Sequence, residues 1–280
     1  MRRGIFALLC LLWPALAAAQ QLPTIVTAPE GLRPLVTLDE VRPFTAVGRL
    51  DTGRGYCTAT LITSDLVLTA AHCLFDEDSA PVPGDSMVFN AGLRNGTVAA
   101  QSRIQASFVH PGYDHGRPDG TERVRFDLAI LRLERPILNG SIEPLQPGAT
   151  GASRGDEVTV VSYGRGREQY ASIEEGCEVL ATRGDVFEMD CSIVPGSSGS
   201  PVMVRSSSGY RIVSVVSSSA HRLLSGQQVS LAAPLQGEIH RLMQMAGARQ
   251  AGASAQSLPQ LRTLGGDGGR EATGARFVRP

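Results

Sequence analysis

From about Phe44 to Ala246 the chain is a succession of short apolar or alternating runs, each broken by Gly, Pro or Asp. Six come first: FTAVGRL (44–50), CTATLI (57–62), LVLTA (66–70), SMVFNAG (86–92), VAAQSRIQASFV (98–109) and LAILRL (128–133). After a Gly/Pro/Ser-rich stretch at 139–155 come six more: EVTVVSY (157–163), CEVLATR (177–183), VFEMDCS (186–192), PVMVR (201–205), YRIVSVVS (210–217) and QVSLAAPL (228–235). Alternation with period two suits strands, because successive side chains face opposite sides. The β-branched content supports the same assignment. Many short strands with frequent turn signals point to an all-β barrel or sandwich. The one good helix pattern is 234–246, PLQGEIHRLMQMA, with Pro at its start and Leu235, Ile239, Leu242 and Met243 at helical spacing. The order is six strands, a linker, six strands and a helix, without a repeat between the halves.

Residues 1–19 read as a signal peptide. Arg2 and Arg3 precede an apolar run, and Ala17-Ala18-Ala19 offers a small-residue cleavage site. The run is too short to span a bilayer. The expectation is an exported chain, secreted or periplasmic, with no stable membrane insertion once the leader is gone. Residues 20–43 are Pro-rich and irregular, an N-terminal strap or propeptide. From 247 to 280 small and polar residues dominate, too few of them apolar to offset the entropy of ordering, so a flexible tail is expected.

Composition removes several functions. With 42% hydrophobic and 19% charged residues, the chain is not disordered as a whole. Its 26 basic and 27 acidic residues leave no excess to neutralise phosphates, so no nucleic-acid partner is expected. Every basic residue is Arg, which excludes Schiff-base, P-loop and Ser–Lys chemistry. Without Cys10, four cysteines remain: Cys57, Cys73, Cys177 and Cys191. In an oxidising compartment an even count reads as two disulfides. Three pairings are possible, of which Cys57–Cys73 and Cys177–Cys191 are the local ones. No CxxC or HxxxH spacing supports zinc, so neither metal nor cofactor is expected.

Three segments carry chemistry. Thr69-Ala70-Ala71-His72-Cys73 presents an imidazole able to take and return a proton near neutral pH. Phe126-Asp127-Leu128-Ala129-Ile130-Leu131 opens an apolar strand with a carboxylate, costly to bury unless paired. Pro195-Gly196-Ser197-Ser198-Gly199-Ser200-Pro201 places hydroxyls among small residues that let backbone N–H groups approach a reacting carbonyl.

Together these segments resemble the trypsin-like (chymotrypsin-fold) serine endopeptidases. TAAHC matches that family's histidine motif, DLAIL its aspartate motif, and GSSGSP its serine motif in the form of the bacterial glutamyl-endopeptidase-like branch. The likeness covers roughly residues 44–246. It implies two six-stranded antiparallel β-barrels with the active site between them and a C-terminal helix. The first barrel would take 44–140, a linker 141–155, and the second barrel plus helix 156–246. It implies a monomeric secreted serine endopeptidase acting on polypeptide substrates through an acyl-enzyme. His72 would be the general base, Asp127 its orienting partner and Ser198 the nucleophile, alone among its neighbours in having Gly two before and Gly one after. The amides of Gly196 and Ser198 would form the oxyanion hole, Ser217 would support Asp127, and Cys57–Cys73 would be the disulfide beside the histidine.

The sequence departs from that pattern in two places. Many members carry an Asp before the nucleophile, which pairs with a new N-terminal ammonium after cleavage; here Ser197 cannot. The expected specificity-pocket positions, Ser192, Val216 and Ser219, carry no charge and favour a neutral P1 side chain. Asp190 is the nearest carboxylate and His221 the nearest cationic candidate. A catalytically silent barrel used for binding is the alternative. A lipase is disfavoured, since G-x-S-x-G chemistry needs a strand–turn–helix with Ser before His in the chain.

Overall fold

The computed structural model describes residues 31–118, 120–138, 140–222 and 225–256, with side chains as far as residue 247. The expected signal peptide and most of the expected tail lie outside these residues. Every predicted strand run is a strand. The first barrel closes in the order β2 (Val47–Asp51), β3 (Tyr56–Leu61), β4 (Leu66–Thr69), β7 (Ala129–Leu133), β6 (Ala100–Val109), β5 (Val88–Ala91) and back to β2. The second runs β9 (Ser172–Arg183), β10 (Val186–Met189), β13 (Gln228–Pro234), β12 (Gly209–His221), β11 (Pro201–Ser206) and β8 (Glu157–Ser162), closed by β8–β9 pairing. All strand pairs are antiparallel. Two closed barrels leave few sheet edges open.

One apolar cluster fills the first barrel and continues into the seam between the two. Leu50, Leu61, Leu68, Phe89 and Ile130 belong to it, and so do Val161, Tyr163, Ile173, Ile212 and Val215 from the second barrel. A second cluster, including Val160, Val179, Phe187 and Val202, fills the second barrel. The linker is stitched to both: Leu145 N donates to Leu61 O and Gly148 N to Ile212 O.

The chain ends cross over. A short strand absent from the sequence reading, β1 (Leu32–Pro34), pairs with β9 of the second barrel. The strap then turns through α1 (Leu38–Val41), held by a capping box between Thr37 and Glu40, and enters the first barrel. At the other end α3 (Glu238–Gln256) follows the second barrel but packs on β6 and β7 of the first. Its start and end differ from the expected 234–246. Pro234 closes strand β13, and Gly237, at φ +83°, turns the chain before the helix begins. The helix passes Ala246 because Ala, Arg and Gln, which favour helix, outnumber the glycines there. Among the described residues, no helix is long and apolar enough to cross a membrane.

Candidate active site

His72 sits in a 3-10 turn (Ala71–Leu74) directly after β4. Asp127 follows the single helical turn α2 (Thr121–Arg125), its amide bonded to Val124 O, and precedes β7. Since β4 and β7 are paired neighbours, the two segments emerge side by side. One carboxylate then holds the histidine twice. Asp127 Oδ1 accepts from the His72 backbone N at 2.8 Å, and Oδ2 lies 2.7 Å from Nδ1. A carboxylate only accepts, so Nδ1 carries the proton and the Nε2 lone pair is free.

Ser217 completes the carboxylate's shell. Its Oγ donates to Asp127 Oδ2. This orientation comes from a bulge in β12. Val216 pairs with Ala232 and Ser218 with Leu231, so Ser217 is an extra residue without a partner on β13. Such a bulge re-aims a side chain. Burial pushes the Asp127 carboxyl up, but the His72 ring and the hydrogen bonds from His72 and Ser217 outweigh it and hold it below the ordinary range.

Ser198 joins the group through the same residue: its Oγ donates to Ser217 O at 3.4 Å. Among the described residues that hydroxyl makes no hydrogen bond to His72. The amides of Gly196 and Ser198 likewise donate to no protein acceptor among them. The loop around Ser198 is pinned from the first barrel. Thr58 N donates to Ser198 O (2.8 Å) and Thr58 Oγ1 to Gly196 O (2.9 Å). A Cβ on Gly199 would lie 2.1 Å from Thr58 O and 2.3 Å from Thr69 Oγ1, and its φ is +82°, so only glycine fits.

Both local disulfides are present, Cys57–Cys73 and Cys177–Cys191. The first ties β3 to the histidine turn, and Cys73 Sγ lies 3.9 Å from His72 Nε2. Potential ligand atoms of Cys57, His72 and Cys73 lie within 4.8 Å of one another, but both sulfurs are spent in the disulfide and offer no thiolate. A cavity of about 100 Å³ opens beside His72 and Asp127, lined also by Arg123, Val124, Ser217 and Ser218.

The expected pocket residues differ in exposure. Val216 is fully buried in the second-barrel core, Ser219 is exposed, and Ser192 is half-buried. Asp190 is exposed and accepts from Glu178 N; His221 is exposed at the end of β12. The buried carboxylate beside Ser192 is Glu174, which no sequence motif marks. Its oxygens accept from Ser192 N (2.7 Å) and Ser192 Oγ (3.2 Å). Burial pushes the Glu174 carboxyl above the ordinary range, more than those bonds pull it down. Arg167, likewise outside any motif, lies beneath the Ser198 loop and touches Ser197.

The fold and the cleft define a two-barrel protein of the chymotrypsin type, and the comparisons agree. Residues 57–209, more than half of the chain, match the trypsin-like peptidase domain, and the chain belongs to that family. It is 25% identical over 178 residues to the glutamyl endopeptidase of Bacillus licheniformis, covering 63% of this chain and 54% of that one. It is 25% identical over 126 residues to a trypsin of Saccharopolyspora erythraea, covering 45% and 52%. The chain thus spans about half the length of these relatives. A solved Glu endopeptidase structure superposes with a TM-score of 0.64 over 80% of this chain and all of that one, at 16% identity, a likeness of fold.

Proposed function

We propose that the protein is an exported serine endopeptidase that cleaves polypeptides through Ser198, His72 and Asp127. The observation that carries this reading is the double grip of Asp127 on His72, which leaves Nε2 as the free base. On substrate binding, the Ser198 hydroxyl leaves Ser217 O and donates to Nε2. As Oγ attacks the scissile carbonyl, the proton passes to Nε2, and the carbonyl π electrons move onto oxygen. The unengaged amides of Gly196 and Ser198 receive that oxyanion. Asp127 stabilises the imidazolium, which then protonates the departing amine as the C–N bond breaks. Water repeats the sequence on the acyl-enzyme, with His72 again the base, and frees Ser198.

The family and the two disulfides support a peptidase working in an oxidising compartment. Ser192 and Ser219, the expected pocket positions with exposed surface, carry no charge, which supports a neutral P1 side chain. The test is a cleavage profile on a peptide library with Ser198→Ala as control. Internal peptide bonds should be cut, with uncharged residues enriched before the cut, and the variant should be inert. Equal cleavage by the variant would remove Ser198 from the chemistry. No cleavage by the wild type would leave a binding barrel.

A further inference from the structure

Arg167 has no part in the steps above, yet its placement is costly. It lies in the loop between β8 and β9 and is only 7% exposed. Among the described residues, no carboxylate comes within 4 Å of its guanidinium to form an ion pair. Its Nη1 donates to Ser162 O (2.6 Å), and its Nη2 to Ser162 Oγ (2.9 Å) and Ser197 Oγ (3.3 Å). A buried charge of this kind is a poor way to gain stability, since an apolar side chain of similar volume often does as well or better. What a guanidinium adds is a rigid, planar fork of donors that fixes geometry.

That fork reaches the residue before Ser198. Ser197 is fully buried, and its Oγ also accepts from Val194 N (3.3 Å), while its own N donates to Val194 O (2.9 Å). The turn 194–197 is therefore closed on itself and tied to Arg167. From the same β8–β9 loop, Arg165 N donates to Pro195 O at 2.8 Å. Gly164 makes the approach possible: a Cβ there would lie 2.6 Å from Arg167 Nη2 and 2.6 Å from Val194 Cγ2. The amides left unengaged, Gly196 and Ser198, flank Ser197.

We propose that Arg167 is a positioning residue that holds the 194–198 turn with those two amides facing the cleft, so that the site is set by a cation internal to the chain and needs none from a newly formed N-terminus. This rests on the endopeptidase reading. Ser197 fits it, having no charge to offer an ammonium.

Two arms test it on purified protein whose wild type cleaves peptides. Arg167→Met should lower kcat about 100-fold, the scale of losing oxyanion-hole donation, with KM changed less than about threefold. Affinity for a peptide aldehyde should fall in step with kcat, which a merely structural role would not produce. Arg167→Lys, keeping charge without the fork, should fall in between. The second arm uses the absence of lysine: the chain's only primary amine is its N-terminus. Acetylating that amine should leave kcat unchanged. Wild-type kcat in folded Arg167→Met, or loss of activity on acetylation, would overturn the proposal. If Arg167→Met does not fold, Arg167→Lys and the acetylation arm decide. A wild type that cleaves nothing would instead remove the underlying reading.

Discussion

Asp127 is 2% exposed, and a charge so buried persists only with its partners in place. Asp127→Asn keeps the shape but puts an N–H or a neutral oxygen where Nδ1–H now donates. The imidazole then favours the tautomer with Nε2 protonated, which cannot act as base. Turnover should fall by about 10⁴ with little change in fold; near-wild-type kcat would show that the grip on His72 is dispensable. Glu174 and Asp127 should pull stability in opposite directions with pH. The depressed Asp127 contributes fully above its unfolded value and loses that contribution as pH falls through its lowered folded value. The raised Glu174 contributes fully below its unfolded value and loses that as pH rises through its folded one. The melting-temperature difference between wild type and Glu174→Gln should therefore shift against the wild type as pH rises from about 4 to about 7. A difference flat with pH would contradict the assignment. His72 and Ser198 stood out as candidates because each sits in a short distinctive motif, and Asp127 only in company with them; the structure brings Asp127 onto His72 and Ser198 onto Ser217. Arg167, Glu174 and Thr58 did not stand out, since each matters only through a partner remote in sequence, as Thr58 does through Ser198 O.

At the scale of elements, the histidine turn owes its place to β4, β7 and the Cys57–Cys73 bridge. Replacing both cysteines by alanine should cost about 2–5 kcal/mol in denaturant unfolding. Activity should drop beyond the fraction unfolded, because the imidazole loses its neighbour. Unchanged stability and turnover would show the bridge idle. Strand identity was readable from alternation, run by run. The bulge at Ser217 was not, because a bulge is a mismatch between two strands and leaves no mark on either one. Pro234 marked the right neighbourhood for the helix start, but it serves as the last residue of β13, with its turn delegated to Gly237.

Across the whole molecule, each terminal segment fastens the barrel at the far end of the chain. β1 pairs with β9 of the second barrel, while α3 buries Ile239, Leu242 and Ala246 against the first. Arg132 of β7 pairs with Asp65 and donates to Ala246 O, and His110 meets Glu238 at 2.7 Å. The cleft between the barrels is thus braced from both ends. Leu242→Ala should cost about 2–5 kcal/mol, and both barrels should still unfold in one transition. Two separate transitions would mean that the helix alone couples them. The crossing-over was hidden from the sequence, in which β1 is three residues long and α3 adjoins the second barrel. Whether His72 activates Ser198 can be read by mass-spectrometric mapping of the adduct left by a fluorophosphonate probe. One adduct is expected, on Ser198, abolished in folded His72→Ala; an adduct elsewhere, or undiminished labelling in that variant, would show that His72 does not activate Ser198.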